Sequence, residues 1–463
     1  MNKTILTVEQ ILIIELCRRN FWRFCCYYDP EFFALRPFLK EIALAFQEIA
    51  DGSIKSLSVS LPPRAGKSYL TSLFCAWMLG KFPKESVMRN TCTATLYQKF
   101  SYDVRGIFKS DKFQHIFPAR LSADKSNLNG WNTDSAKMVS YFGAGVGGTI
   151  IGFGASKVAI TDDLYRGIED ALSDTVNDRV KQWKDATHDS RFESGCARID
   201  IGTRWTRNDV IGVNMESGEY DKSVIVAALD ENEQSFCPSV MTTAEYLNKR
   251  AKTPTEIWLA EYQQQPIDLK GRLFTAIDTI TPDEFVKRVQ IDPNDQKNQG
   301  RKDLIDGYIC YIDVADEGKD YTAAAIAAIV GNRVYIVDYL FTRDNTDIAI
   351  PLAAAMLDKY GVQYCRVESN SMGAMFARNL QKQTKTRILQ VRNTVNKMTR
   401  IIMQSAFILN NVTFVEVPGV QCSQFLANVD SFSKEGKNKN DDAPDTLAGL
   451  SMFIQSMFKN INW

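Results

Sequence analysis

Three consecutive residues, Gly66, Lys67 and Ser68 in the segment LPPRAGKSYLTS, are of the types needed to hold a nucleotide triphosphate. A small residue lets backbone N–H groups approach phosphate, a lysine reaches the β and γ phosphates, and a hydroxyl ligates Mg²⁺. The segment therefore reads as the end of a Walker A loop for ATP with Mg²⁺, although Leu61 stands where the usual pattern has its first glycine. Arg64 lies inside the loop, where a guanidinium could stabilise charge on the transferring γ-phosphoryl in cis; the plain alternative is a surface arginine paired with an acid. A second site for the same chemistry is Asp162 and Asp163, which close the apolar run Lys157 to Thr161. Asp162 has the place of the Walker B carboxylate that holds the Mg²⁺ water shell, and Asp163 is the candidate base for the attacking water. Many such ATPases carry Glu at the second position, and two acids could also simply cap a helix.

Positioning these groups requires strands that end together. Ile54 to Leu61 reads as a short buried strand, and Ser68 to Leu79 as an apolar helix, giving strand, phosphate loop and helix in order. A further apolar strand, Ala197 to Gly202, ends in Thr203, Arg204 and Trp205. In an open parallel α/β sheet ligands bind beyond the carboxyl ends of the strands, so the three ends are expected to converge on one crevice. From about Asp268 the chain turns charged and polar, culminating in DPNDQKNQGRKD, which is too polar to supply a core. Residues 268–305 are accordingly expected to be a junction between an N-terminal domain, 1–267, and a C-terminal α/β domain, 306–463. The latter shows strands at Gly307 to Val314, Arg333 to Leu340 and Tyr364 to Glu368, a helix near Ala349 to Lys359 and another near Ala443 to Phe458. The Lys- and Asn-rich stretch Lys434 to Asn440 reads as an exposed loop, and no internal repeat is visible.

Bulk composition narrows the classes. A chain of 463 residues exceeds what one core usually organises, and 45% hydrophobic with 24% charged residues is ordinary for a packed soluble protein. The N-terminal MNKTILTVEQILIIELCRRN carries Glu9 and Glu15 and no small-residue cleavage site, so it reads as an amphipathic helix and not an export signal. No apolar run approaches the roughly 20 residues of a membrane span, so a cytoplasmic, non-secreted protein is expected. The ten cysteines include no C-x-x-C pair and the histidines are only His115 and His188, which argues against zinc and disulfides. Fifty-five basic residues balance 55 acidic ones, so charge alone makes no case for DNA.

With these residues placed, the chain resembles the large terminase subunits of tailed double-stranded DNA bacteriophages or prophages. The likeness runs through PPRAGKS, AWMLGKFP, GVGGTIIGFGASKVAITDDL, LSDTVNDRVKQW, IGTRWTRNDVIG and EYQQQP, in the family's order. It implies an N-terminal P-loop ATPase domain, a mostly parallel sheet flanked by helices, followed by a C-terminal RNase H-like nuclease domain. Thr203 and Arg204 resemble the family's coupling motif, which senses the γ-phosphate; Trp205 is expected to pack. Such families also use an arginine from a neighbouring subunit. Arg105, Arg120 and Arg166 are available, and no spacing selects one.

The same resemblance makes the downstream acids a nuclease centre, in which carboxylates from distant strands and a helix hold two Mg²⁺ or Mn²⁺ ions about the scissile phosphate. Asp313, in YIDVADEGKDYTAAAIAAI, is the first ligand and Glu368, closing YCRVE, the second. The third comes from NDDAPDTLAGL, with Asp442 the first choice, Asp445 the next and Asp441 outside the direct ligands. Asp320 is a candidate for a metal-bound water, and Lys397 and Arg400 in NKMTRI for phosphate contact, unless they form a solvated helical face. The implied activity is ATP-driven translocation of double-stranded DNA into a procapsid, with endonuclease cutting. The implied partners are a small terminase subunit and the portal protein, on which several copies assemble in the host cytoplasm. A helicase-nuclease of repair or defence and an inactive prophage remnant are the alternatives.

Overall fold

The computed structural model describes residues 7–126, 129–267, 271–292, 301–315, 320–369, 372–434, 438, 440–461 and 463. They divide into two units, Met1–Arg250 with Glu256–Ile267, and Ala251–Thr255 with Asp268–Trp463.

The first unit is built on strands β1 (Ser56–Ser60), β2 (Val87–Thr91), β3 (Leu121–Ser126), β4 (Gly130–Thr133), β5 (Tyr141–Phe142), β6 (Val158–Asp162), β7 (Ala197–Ile201) and β8 (Lys222–Ile225). They form one sheet in the order β3-β4-β5-β2-β6-β7-β1-β8. From β5 to β8 every pairing is parallel, and only the β3-β4-β5 edge is antiparallel. All five residues of both β2 and β6 are buried, as befits parallel strands covered on both faces. Because β6, β7 and β1 are neighbours, the three polar strand ends expected from the sequence do lie side by side.

The phosphate-loop helix, Lys67–Lys81, is buried along its whole length from Leu70 to Gly80. A helix apolar on every side must be enclosed. The N-terminal helices supply the cover: the Phe21 and Trp77 rings lie 5.5 Å apart, Phe46 and Phe74 4.7 Å apart, and Trp77 Nε1 donates to the Cys17 carbonyl at 2.8 Å. The first helix, Val8–Arg19, starts with a capping box between Thr7 and Gln10 and buries only Ile14 and Cys17.

The second unit holds β9 (Asp278–Ile280), β10 (Gly307–Asp313), β11 (Thr322–Val330), β12 (Arg333–Thr342), β13 (Tyr364–Glu368), β14 (Arg387–Val391) and β15 (Val412–Val415). Their order is β14-β13-β10-β11-β12-β15-β9, an antiparallel β10-β11-β12 meander extended on each side by parallel strands. Alternation in β10 sends Cys310 and Ile312 into a cluster with Ala349, Ala353 and Leu357 of the helix Thr346–Tyr360. Tyr311 faces the other way, against the helix Asp442–Met457, where a Cβ on Gly449 would come within 2.3 Å of its ring. Glycine at 449 is what allows that helix to lie on the sheet.

The expected junction is partly ordinary fold. β9 pairs with β15, Ile280 is buried, and the helix Pro282–Val289 begins with a Thr281–Glu284 capping box. The polar composition of 268–305 hid three residues that needed only a neighbouring strand. Residues 268–270 and 293–300, which include most of DPNDQKNQGRKD, lie outside the described residues, as do 435–437 and 439 of the Lys- and Asn-rich loop. Among the described residues no helix is long and apolar enough to cross a membrane. All ten cysteines are free thiols.

Candidate nucleotide cleft and carboxylate centre

The chain leaves β1 through Leu61, which is fully buried and forms no part of the cleft wall. The turn is made farther on, by Arg64 with φ +62° and Gly66 with φ +101°. This explains how the loop tolerates leucine at 61. At 66 glycine is required twice over, by its left-handed backbone and because a Cβ would stand 2.8 Å from the Phe32 ring. The helix begins at Lys67, so the loop and the helix N-terminus together present N–H groups suited to phosphate. A cleft of about 470 Å³ opens there, lined by Arg64, Gly66, Lys67, Ser68, Asp163 and Thr203 among others.

Lys67 Nζ lies 2.7 Å from Asp163 Oδ1. Asp163 is itself in the left-handed region, φ +53°, held by its N–H to the Ile201 carbonyl at 2.9 Å and by its carbonyl to the Cys92 N–H at 3.0 Å. Burial and the adjacent Asp162 raise the Asp163 pKa, against the opposing pull of Lys67 and the Thr203 backbone amide. Neither acid caps a helix, since the next one, Ile168–Leu172, starts after Gly167.

Asp162 is completely buried. Its Oδ2 accepts from two nitrogens of the Arg89 guanidinium, whose other contacts are Ser72 Oγ at 2.8 Å and the Ser68 carbonyl at 3.2 Å. Its Oδ1 has no hydrogen-bond partner. A buried carboxylate oxygen left open, on a side chain that Arg89 links to the Ser68 carbonyl, suits a Walker B ligand to the shell of a Mg²⁺ ion. Sequence reading missed Arg89. The available signal was a charged residue in the centre of the strand VMRNT, because a charge buried in a sheet requires a partner.

Thr203 reaches the cleft and Arg204 does not. The Arg204 guanidinium is buried with Asp209 at 3.5 Å and the sulfur of Met215, and its backbone N–H donates to Gln264 Oε1 at 3.3 Å. The Arg204 side chain, expected from the sequence to contact nucleotide, turns into the protein, where Asp209 neutralises it. Of the three arginines left open for a neighbouring subunit, only Arg166 borders the cleft, paired with Asp170 at 2.6 Å.

In the second unit, Asp313 ends β10 and Glu368 ends β13, and the parallel register Ile312↔Val367 sets them side by side. Asp445, in the first turn of the helix Asp442–Met457, completes a group whose ligand oxygens all lie within 4.8 Å of one another. Asp442, preferred from the sequence, stands outside that trio. Its Oδ2 accepts the Tyr321 N–H at 3.1 Å and its Oδ1 lies 3.5 Å from Lys397 Nζ. The two aspartates share a helix face, but only the later one comes within reach of both strand ends. Asp442 and Asp320 border the same cleft.

Lys397 and Arg400 do not form a solvated face. Lys397 Nζ lies 2.7 Å from Asp441, 3.5 Å from Asp442 and Asp445, and 4.0 Å from Asp313. Arg400 is buried and bridges Asp445 at 2.6 Å to Glu368 at 3.4 Å. Glu368 also accepts from Tyr311 Oη at 3.1 Å and Asn393 Nδ2 at 2.9 Å. Burial, then repulsion from Asp445, pushes Asp313 well above the usual carboxylate range, and burial likewise raises Asp445. Burial opposes the Lys397 charge, yet the surrounding aspartates raise its pKa overall. An all-oxygen donor set with excess negative charge fits a hard divalent cation such as Mg²⁺ or Mn²⁺.

Residues 312–413 match the family described as Terminase Bacteriophage T7, Ribonuclease H-like domain. That part of the second unit is similar to a terminase RNase H-like domain. The matched part contains Asp313, Glu368, Lys397 and Arg400, while Asp445 follows it on the C-terminal helix. The expected α/β architecture with a C-terminal RNase H-like domain is thus present. Among solved structures, the large terminase of a thermophilic bacteriophage is similar, with 8% identity, 89% of this chain and 98% of that chain covered, and a TM-score of 0.46. The HK97 bacteriophage large terminase gives 12%, 91%, 94% and 0.37 for the same quantities. The nuclease domain of the large terminase subunit gp2 of bacterial virus Sf6 gives 10%, 37%, 98% and 0.25. No curated protein matches the chain.

Proposed function

We propose that this chain is a viral DNA-packaging motor subunit, a large terminase in which residues 1–267 hydrolyse ATP, 268–305 lead into the second unit and give β9 to its sheet, and 306–463 cut DNA. The observation that carries the reading is the coexistence, in one chain, of a terminase-type domain with a carboxylate trio and a phosphate loop whose lysine meets a strand-end aspartate at 2.7 Å.

In this reading the loop N–H groups and Lys67 bind the β and γ phosphates of ATP. Phosphate then replaces Asp163 as the partner of Lys67, and the freed carboxylate accepts a proton from the attacking water. The water oxygen bonds to the γ-phosphorus as the bond to the β–γ bridging oxygen breaks, leaving ADP and phosphate. Arg64, exposed at the cleft, stabilises the γ-phosphoryl charge. Thr203, whose amide holds the Asp163 carboxylate, reports the change to β7. Ser68 and Asp162 would hold Mg²⁺, which when bound neutralises phosphate charge.

Asp313, Glu368 and Asp445 would hold two Mg²⁺ or Mn²⁺ ions, which when bound activate water and stabilise the charge on the scissile phosphate. Lys397 and Arg400 hold the carboxylates in position, and Lys397, half-buried at the rim, faces the DNA phosphate. Double-stranded DNA, a small terminase subunit and a portal ring on which several copies assemble are the proposed partners, in the host cytoplasm. The test is portal-dependent packaging of duplex DNA with DNA-stimulated ATPase. Absence of ATPase, or a Lys67→Ala variant equal to wild type, overturns the motor reading; unwinding without portal-dependent packaging points to a helicase-nuclease.

A further inference from the structure

We propose that Arg89 is the positioning residue of the nucleotide site, fixing the Asp162 carboxylate for the Mg²⁺ that accompanies ATP. The inference rests on the ATPase reading above and deepens it.

Arg89 sits in β2, beside β6 in the register Arg89↔Ile160 and Thr91↔Asp162. It has no exposed surface, and its guanidinium carbon lies 3.8 Å from the Phe100 ring centroid, so the fork is held in plane on a ring face. From there the guanidinium joins two elements that share no chain segment. Two of its nitrogens bond Asp162 Oδ2 at the end of β6, and the remaining contacts are Ser72 Oγ and the Ser68 carbonyl in the first turns of the phosphate-loop helix. Ser68 is the residue whose hydroxyl is expected to ligate the same ion.

Two consequences follow from this geometry. One carboxylate oxygen is committed to Arg89 and the other, Oδ1, is buried with no partner, so the side chain cannot rotate without stranding the guanidinium. The spacing of Asp162 from Ser68 is likewise set by a rigid fork and not by two flexible side chains. Burial alone works against the Arg89 charge, but the Asp162 carboxylate beside it more than compensates. Lysine could keep the charge at 89 but not the multiple fixed bonds, because an ammonium is a point charge on a flexible stem.

Arg89 touches neither nucleotide nor metal, so its signature is the Mg²⁺ dependence of nucleotide binding. A fluorescent ATP analogue is titrated against the full chain with Mg²⁺ and with EDTA, and the Mg²⁺ midpoint is measured at fixed analogue. For Arg89→Lys the midpoint is expected to rise roughly 10-fold or more, the usual effect of losing an outer partner of a metal ligand, and the ratio of affinities with and without Mg²⁺ to shrink accordingly. Ser72→Ala removes one anchor of the fork while leaving both charges in place, and is expected to move the midpoint the same way by a smaller factor. Folding of each variant is followed by circular dichroism. If Arg89→Lys is folded and its midpoint matches wild type, the proposal is overturned; if it does not fold, an unshifted Ser72→Ala midpoint overturns it. Failure of wild type to bind the analogue under either condition instead removes the ATPase reading itself.

Discussion

Lys67 Nζ and Asp163 Oδ1 form an ion pair at 2.7 Å across the mouth of the nucleotide cleft, joining the first residue of the phosphate-loop helix to the residue after β6. Under the proposed function each is the other's partner until a phosphate arrives, and the pair would then link nucleotide entry to release of the base.

The first prediction separates binding from chemistry. Asp163→Asn should retain binding of a fluorescent ATP analogue while phosphate release falls by roughly 10²- to 10⁴-fold, the range for a lost general base. Lys67→Ala should lose both. An Asp163→Asn variant hydrolysing ATP at the wild-type rate would remove Asp163 from the mechanism.

A second prediction decides between two aspartates. Because Asp445 belongs to the trio with Asp313 and Glu368 and Asp442 does not, Asp445→Asn and Asp313→Asn should abolish Mn²⁺-dependent plasmid nicking with ATPase intact. Asp442→Asn should impair nicking less. The reverse ranking, with Asp445→Asn still cutting, restores the order read from sequence.

The third concerns metal and pH together. Asp313 and Asp445 have pKa values above the ordinary carboxylate value in the folded protein, so the folded state binds more protons than the unfolded one between the ordinary and the raised values. Their contribution to stability is present at low pH and is lost as pH rises through the raised values. Mn²⁺ binds the deprotonated carboxylates, so the increase in melting temperature on adding Mn²⁺ should grow with pH and disappear in Asp313→Asn. A Mn²⁺ effect that shrinks with rising pH contradicts the site.

A fourth prediction tests the covered face of the first sheet. His188 is fully buried against Asn90, Nδ1 to Nδ2 at 2.6 Å, and burial followed by the nearby Lys184 lowers its pKa from 6.5 to about 3. It is neutral when folded and takes up a proton on unfolding below about pH 6.5. Stability should fall with decreasing pH between those values, with a slope from this group of up to about 1.4 kcal/mol per pH unit. Chemical denaturation of His188→Gln across roughly pH 4 to 7 should show a shallower slope than wild type; equal slopes exclude the assignment.

Much of this was legible in the sequence, for a local reason. A strand, a phosphate loop and a helix are consecutive, so LPPRAGKSYLTS declares its own geometry, and the apolar runs ending in Asp162 and Glu368 declare theirs. By place alone each C-terminal acid was an ordinary strand end or helix start, and they were read as a set because the resemblance to large terminases implied a metal ligand at each. What stayed hidden depended on partners distant in the chain. Arg89 meets Asp162 across 73 positions, Arg204 turns inward because Asp209 is there to neutralise it, and β9 is a strand because β15 lies beside it. Helical periodicity placed Asp442 and Asp445 on one face, yet could not say which of them would meet two strand ends. That was settled by the packing of one helix, through Gly449 against Tyr311, onto the sheet. Residue types and their order thus determined the chemistry this chain is equipped for, and the tertiary structure decided which side chains are close enough to share it, because carboxylates act together only within a few ångströms.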